Sequence, residues 1–279
     1  MVACRRDLTR AGEFVTRQGE SKATTSQFRS RWTDCGGMRL HARVSDRRRG
    51  GLPAVLVHGI GVSSRYMLPL GEKLVSRCRV YALDLPGFGK SAKPRRILTP
   101  AELADALASW LEAEGLSDVV LVANSFGCQV VVDCVARHPE RIQRVVLAGP
   151  TIDASARTVA AQLFRWLQNG RYEPLGLAGV VLRDYLDCGM RRVFRTFALA
   201  LEDRIEDKLP HVRVPALVVR GARDRIVPQE WAGEVARLLP RGRLETIPEA
   251  AHTINYGAAG QLAVLVWQFM CEALPPRGG

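Results

Sequence analysis

Lysine and paired cysteines are scarce in this chain, and each shortage excludes something. Only five of the 40 basic residues are lysine (Lys22, Lys73, Lys90, Lys93 and Lys208), so the formal charge of +12 is carried by arginine. A GC-rich coding sequence produces that skew by itself. The basic residues are also spread along the chain, and the one tight run, Arg47 to Arg49, leads into Gly50 and Gly51 as a loop. No nucleic-acid partner is expected. The seven cysteines (Cys4, Cys35, Cys78, Cys128, Cys134, Cys188 and Cys271) are odd in number, scattered, and form no C-x-x-C pair. That pattern argues against a zinc site or a disulfide framework, and reduced thiols are expected.

Long apolar runs are missing as well. The run from Val119 is broken by Asn124, Ser125 and Gln129, and the run from Leu262 is too short to span a bilayer, so no integral membrane segment is expected. Near the N-terminus Arg5, Arg6 and Arg10 are followed by no apolar stretch and are mixed with Asp7 and Glu13. Neither a secretory signal nor a transit peptide is indicated, and a cytoplasmic location is expected. What the chain does have is length: 279 residues, 47% of them apolar, suffice for a large core without metal or disulfide.

Residues 1–30 read as a flexible basic extension without sustained periodicity. Arg31 to Asp34 and Met38 to Val44, joined by Gly36 and Gly37, read as an antiparallel hairpin. An alternation of strands and helices follows. Pro53 to Val57 is a strand, Ser64 to Cys78 a helix, and Arg79 to Leu85 a strand. A helix capped by Thr99 runs to about Glu114, and the strand from Val119 comes next. A helix then extends to Pro139, and Arg144 to Ala148 closes the series as a strand. The alternation lapses from Thr151 to Leu209, where only helical patterns occur. It resumes with a strand at Pro215 to Arg220, a helix from Pro228 to Leu239, a strand at Arg243 to Ile247 and a helix over Ala258 to Ala273.

The stretch Val119 to Val132 carries the chemistry. A buried strand breaks at Asn124 and Ser125 and a helix begins, with Ala123 and Gly127 as the small residues that a cramped turn requires. The spacing matches the nucleophile elbow G-x-S-x-G with alanine at the first glycine, and here the sequence resembles the α/β-hydrolase family. A second match is Pro86-Gly87-Phe88-Gly89-Lys90-Ser91, a loop that this family shows after an aspartate-bearing strand. Gly89-Lys90-Ser91 also looks like the tail of a P-loop. The first glycine of such a loop would fall at Asp84, and no helix follows whose N-terminus could cradle phosphate, so nucleotide binding is rejected.

A serine needs a base, and the base needs an acid. Of the five histidines, only His252 follows a strand near the C-terminus, where a loop can return over the sheet edge that bears Ser125. His58 is read as a structural loop residue. Asp224 follows the next-to-last strand in the family's G-x-x-D-x-x-V-P context; Asp153, just after the strand ending at Ala148, is the rival acid. The resemblance implies an α/β fold with a mostly parallel sheet, a core of 31–150 and 210–279, and an inserted helical cap over 151–209. It also implies an oxyanion hole made by the Ile60 and Phe126 amides. The order Ser125, Asp224, His252 is the family's order.

The expected reaction is hydrolysis of a carboxylic ester of a small or medium apolar substrate through an acyl-enzyme. No metal or organic cofactor is required. Asn124 before the serine also occurs in C–C bond hydrolases of aromatic ring-fission products, although Thr253 stands where those enzymes usually have tryptophan. A low-turnover ligand-binding protein on the same fold is the non-enzyme alternative. The aromatic residues of the helical segment (Phe164, Trp166, Tyr185, Phe194, Phe197) are expected to pack, and together they suggest an apolar pocket.

Overall fold

Hydrophobic period and turn chemistry account for most of the element boundaries in the computed structural model, which describes residues 27–46 and 51–273. Strands β1 (Phe28–Cys35) and β2 (Met38–Ser45) form the expected hairpin, turned by Gly36 and Gly37 at φ of 54° and 74°. Both angles lie in the left-handed region that a tight two-residue turn needs and that glycine adopts without strain. β1 starts three residues ahead of Arg31 because Phe28 is buried, its ring packed on Gly71. Ser30 is also tied in, its hydroxyl 2.9 Å from His41 Nε2. The core therefore begins before residue 31. Residues 1–26, most of the expected extension, and the Arg47–Arg49 run lie outside the described residues.

The alternating series then follows: β3 (Ala54–Val57), α1 (Ser64–Leu74), β4 (Val80–Leu83), α2 (Pro100–Ala113), β5 (Val119–Asn124), α3 (Gly127–Arg137) and β6 (Ile142–Ala148). The Thr99 side chain accepts from the Glu102 amide while the Glu102 carboxylate accepts from the Thr99 amide, a reciprocal cap that sets the start of α2. Four helices are inserted next: α4 (Val159–Gly170), α5 (Leu175–Cys188), α6 (Met190–Glu202) and α7 (Ile205–Lys208). β7 (Ala216–Gly221), α8 (Gln229–Leu238), β8 (Gly242–Ile247), α9 (Ile254–Gly257) and α10 (Ala259–Cys271) complete the described chain.

The eight strands form one sheet in the order β1-β2-β4-β3-β5-β6-β7-β8, antiparallel at β1–β2 and β2–β4 and parallel elsewhere. Every residue of β3, β4 and β5 is buried. Helices cover both faces, which is why these strands read as continuous apolar runs and not as alternating ones. Successive side chains still go to opposite sides. Val55, Leu121 and Ala123 join Leu107, Trp110 and Val131 from α2 and α3, whereas Leu56, Val120 and Val122 join Leu70, Leu262 and Val266 from α1 and α10.

The inserted helices depart from the expected packing. Phe164, Trp166 and Phe194 are 61%, 55% and 64% exposed. On α4 the buried positions are the polar Gln162 and Asn169, which bond to the Ala156 carbonyl and the Glu173 carboxylate, so the apolar side of this helix faces outward. The thiols of Cys35, Cys78, Cys128, Cys134 and Cys188 are free as expected, whereas Cys271 is disulfide-bonded.

Candidate active site

Parallel strands deliver their following loops to one sheet edge, and adjacency in the sheet decides which loops meet. Because β5 lies between β3 and β6, the turn after β5 sits beside the loops that follow those two strands. Ser125 occupies that turn at φ 57°, a left-handed conformation unusual for a residue with a Cβ, and its amide donates to the Ala148 carbonyl at 3.0 Å. Small neighbours make the turn possible. A Cβ on Gly127 would lie 2.6 Å from the His58 carbonyl oxygen, and one on Gly59 would lie 3.3 Å from Ser125 Cβ. Ser125 is partly exposed at the edge of an otherwise buried strand.

The loop after β3 wraps this turn. His58 is fully buried; its Nδ1 donates to the Gly59 carbonyl at 2.8 Å and its Nε2 accepts from the Leu85 amide at 3.1 Å. Burial holds its pKa below the ordinary histidine value, so it is a neutral brace, as the sequence reading has it. Among the described residues the Ile60 and Phe126 amides donate to no protein acceptor. Phe126 directly follows Ser125, and Ile60 follows Gly59, which lies against the Ser125 side chain.

His252 and Asp224 follow β8 and β7. The His252 Nδ1 donates to Asp224 Oδ2 at 2.9 Å, and both residues are buried. Asp224 Oδ1 is itself held by the Ile226 and Val227 amides, at 2.8 and 2.9 Å. Burial acts to lower the His252 pKa, yet the Asp224 charge, its hydrogen bond and the Glu173 charge outweigh burial, so the imidazole titrates above the ordinary value. With Nδ1 committed, Nε2 is the atom that can take up a proton. Gly149, at φ 60°, leaves the room: a Cβ there would lie 3.0 Å from the His252 ring. This glycine directly follows Ala148, whose carbonyl holds the Ser125 amide.

Asp153 is engaged elsewhere. Its Oδ1 accepts from the Ser155 amide at 2.8 Å and its Oδ2 pairs with Arg165 at 2.6 Å. Two more histidines are engaged away from the serine, and His211 is exposed after α7. His41 Nδ1 bonds to buried Asp84 at 2.7 Å, and His138 pairs with Asp105. Asp84 further accepts from the Ser64 and Lys90 amides and closes the Pro86–Ser91 loop on itself, a structural use of the motif.

Two further side chains tie the site together. Asn124 is fully buried; it accepts from the Tyr66 hydroxyl at 2.6 Å and donates to the carbonyls of Ala148 and His252, at 3.0 and 3.3 Å. It thereby links the serine's strand to the histidine's loop. The sequence marks its place before the serine but not these partners. Glu173, between α4 and α5, accepts from the His252 and Thr253 amides at 3.1 Å each, from Asn169 and from the Thr253 hydroxyl. Nothing in the sequence marks it. Asn169 also accepts from the Arg225 amide at 3.2 Å, so the inserted helices grip both loops. Among the described residues no group of three His, Cys, Asp or Glu side chains is arranged to hold a metal.

Sheet order, elbow and paired histidine together define an α/β-hydrolase. The chain belongs to the Alpha/beta hydrolase family, whose sequence profile matches residues 54–264. It is 27% identical, over 83% of its length, to the dihydrolipoyllysine-residue acetyltransferase component of an acetoin cleaving system from Pseudomonas putida, of which it spans 64%. It thus covers less than two thirds of that relative. It is 28% identical to a 2-(acetamidomethylene)succinate hydrolase from Mesorhizobium japonicum, covering 83% of this chain and 91% of the relative. A 2-hydroxymuconate semialdehyde hydrolase from a Pseudomonas species is 27% identical over 80% of this chain and 88% of its own. The crystal structure of an E-2-(acetamidomethylene)succinate hydrolase superposes with a TM-score of 0.73 at 23% identity, over 88% of this chain and all of that one.

Proposed function

We propose that this protein is a serine hydrolase that cleaves a carboxylic ester of a small or medium apolar substrate through an acyl-enzyme. The observation that carries the reading is the His252–Asp224 hydrogen bond of 2.9 Å, taken with a serine held at φ 57° on the strand-to-helix turn. Ser125 Oγ attacks the ester carbonyl while His252 Nε2 takes the hydroxyl proton. The oxyanion accepts from the Ile60 and Phe126 amides. Collapse of the tetrahedral species breaks the C–O bond, and His252 returns the proton to the leaving alcohol. Water, deprotonated by the same imidazole, then attacks the acyl-enzyme and releases the acid and Ser125. Asp224 fixes the Nδ1–H tautomer and stabilises the imidazolium. The inserted helices act as a cap: Tyr185 of α5 packs over Gly61, next to Ile60.

The experiment is labelling by a fluorophosphonate together with turnover of p-nitrophenyl esters of graded acyl length. Labelling absent in Ser125→Ala, with a loss of roughly 10⁴-fold in kcat, is the expected result. Undiminished turnover by Ser125→Ala overturns the assignment, and ligand-induced stabilisation without turnover points to a binding protein on this fold.

A second reading is hydrolysis of a C–C bond in an aromatic ring-fission product, favoured by Asn124 and by the similarity to a 2-hydroxymuconate semialdehyde hydrolase. Turnover of such a dienone with silence toward simple esters selects it. The free thiols support a cytoplasmic site of action, while the bonded Cys271 does not.

A further inference from the structure

The inserted helices are built inside out. On α4, Val159, Leu163, Trp166 and Leu167 recur at helical spacing and are 53% to 62% exposed. On α5 the same spacing brings out Leu175, Leu182 and Leu186, at 95%, 63% and 72%; on α6 it brings out Met190 and Phe194. With Phe164, these side chains expose, summed over three helices, apolar surface on the order of 1,000 Å². No helix among the described residues is long and apolar enough to cross a membrane.

The charges beside these stripes are mostly of one sign. Residues 154–202, to the end of α6, hold seven arginines and four acids. Three of the acids are already used, Glu173 on the His252 loop, Asp184 on Ser63 and Arg65, and Asp187 on Arg65, which leaves Glu202 in the last turn of α6. Arg183, Arg191 and Arg195 stand exposed next to the stripes of α5 and α6 and form no ion pair among the described residues. A helix that turns Leu, Phe and Trp outward between unpaired arginines has the composition of one lying in the headgroup plane of a bilayer. A second copy docking face to face by symmetry would oppose these arginines to one another, whereas anionic headgroups neutralise them.

We propose that the exposed faces of α4, α5 and α6 dock this protein onto an anionic lipid surface. The protein lies on the membrane and does not span it, with apolar side chains in the acyl boundary and the three arginines at the phosphates. The same α5 supplies Tyr185 beside Gly61, so the docked face adjoins the loop that carries Ile60. Docking is a property of the surface and holds whether or not the ester reading does.

The test is co-sedimentation of the full chain with phosphatidylcholine vesicles, with and without about one quarter phosphatidylglycerol. Binding is read from the pellet, so no turnover is needed. The wild-type chain should pellet with the anionic vesicles and be partly released by high salt. The triple variant Arg183→Gln, Arg191→Gln, Arg195→Gln should lose roughly a hundredfold in partitioning, taking about fivefold for each charge. A Trp166→Asp, Leu182→Asp, Phe194→Asp variant should lose partitioning into both vesicle types, with circular dichroism and melting temperature reporting whether it is folded. If it is not, Trp166→Ser and Phe194→Ser singly should each lower binding severalfold. No pelleting by the wild type, or pelleting of folded arginine and apolar variants equal to that of the wild type, overturns the proposal. So does concentration-dependent self-association that these substitutions abolish while vesicles bind nothing.

Discussion

Asp224 and Asp153 both lie just beyond a strand end, and exchanging each for asparagine separates their roles. Asp224 Oδ2 accepts the His252 Nδ1 proton at 2.9 Å, and Oδ1 accepts two amides. In Asp224→Asn the oxygen stays where the Ile226 and Val227 amides need an acceptor, which turns the amide NH₂ toward His252. A donor facing Nδ1 forces the other tautomer and leaves Nε2 carrying the proton it should accept. The expected loss in kcat/KM is about 10⁴-fold, or about 5 kcal/mol of transition-state stabilisation. The imidazole also loses the group that raises its pKa while burial still lowers it, so any residual activity keeps its acid limb at lower pH. Asp153→Asn keeps an oxygen for the Ser155 amide and gives up the charge opposite Arg165, a partly exposed pair. That costs about 1 kcal/mol of stability and leaves kcat/KM within about threefold. The assay is p-nitrophenyl ester turnover from pH 5 to pH 9 (approximate limits for a histidine base), paired with the rate of fluorophosphonate labelling. A Asp153→Asn variant that collapses while Asp224→Asn keeps its rate refutes the reasoning.

Three further outcomes follow from the geometry. Gly149→Ala combines a left-handed φ of 60° with a Cβ 3.0 Å from the His252 ring, so activity should fall at least tenfold by displacement of the imidazole, at a backbone cost of about 1 kcal/mol; unchanged kcat is the adverse result. Glu173→Gln keeps acceptor geometry toward the His252 and Thr253 amides on one oxygen but removes a charge that raises the His252 pKa. Because the base works in its neutral form, the acid limb of kcat/KM should move to lower pH; an unmoved limb shows that Glu173 acts through packing alone. Asp84, held down to about 2 against the desolvation of burial by His41 and the Lys90 and Ser64 amides, contributes stability above its ordinary value of 3.8 that is lost as pH falls from there toward 2. By linkage this amounts to about 2 kcal/mol, and an Asp84→Asn variant, with a less acid-sensitive melting temperature, measures it.

Much of this protein was legible in order along the chain. The continuous apolar runs announced strands buried on both faces, Thr99 and Glu102 announced a capped helix, and Gly36-Gly37 announced a hairpin. These are local facts: a period, a cap and a turn involve residues within reach of each other in sequence, so the sequence alone determined them. The elbow belongs with them, because Ser125 needs small neighbours two residues away on either side, and both, Ala123 and Gly127, are visible in the chain. The outward apolar faces of α4 to α6 were not legible, since a helical stripe has the same spacing whether it meets a core or solvent.

The tertiary structure decided the rest. It put β5 between β3 and β6, so that Gly59 and Ala148 meet at one serine from positions 66 residues before and 23 residues after it. It placed Asp224, and not Asp153, against His252, because β7 and β8 are neighbours and Asp153 had an arginine and a helix start to satisfy. It also drew Glu173 from the inserted helices onto the histidine loop. A carboxylate carries no mark of which distant amides it will meet; sheet adjacency decides that, and adjacency is a property of the whole fold.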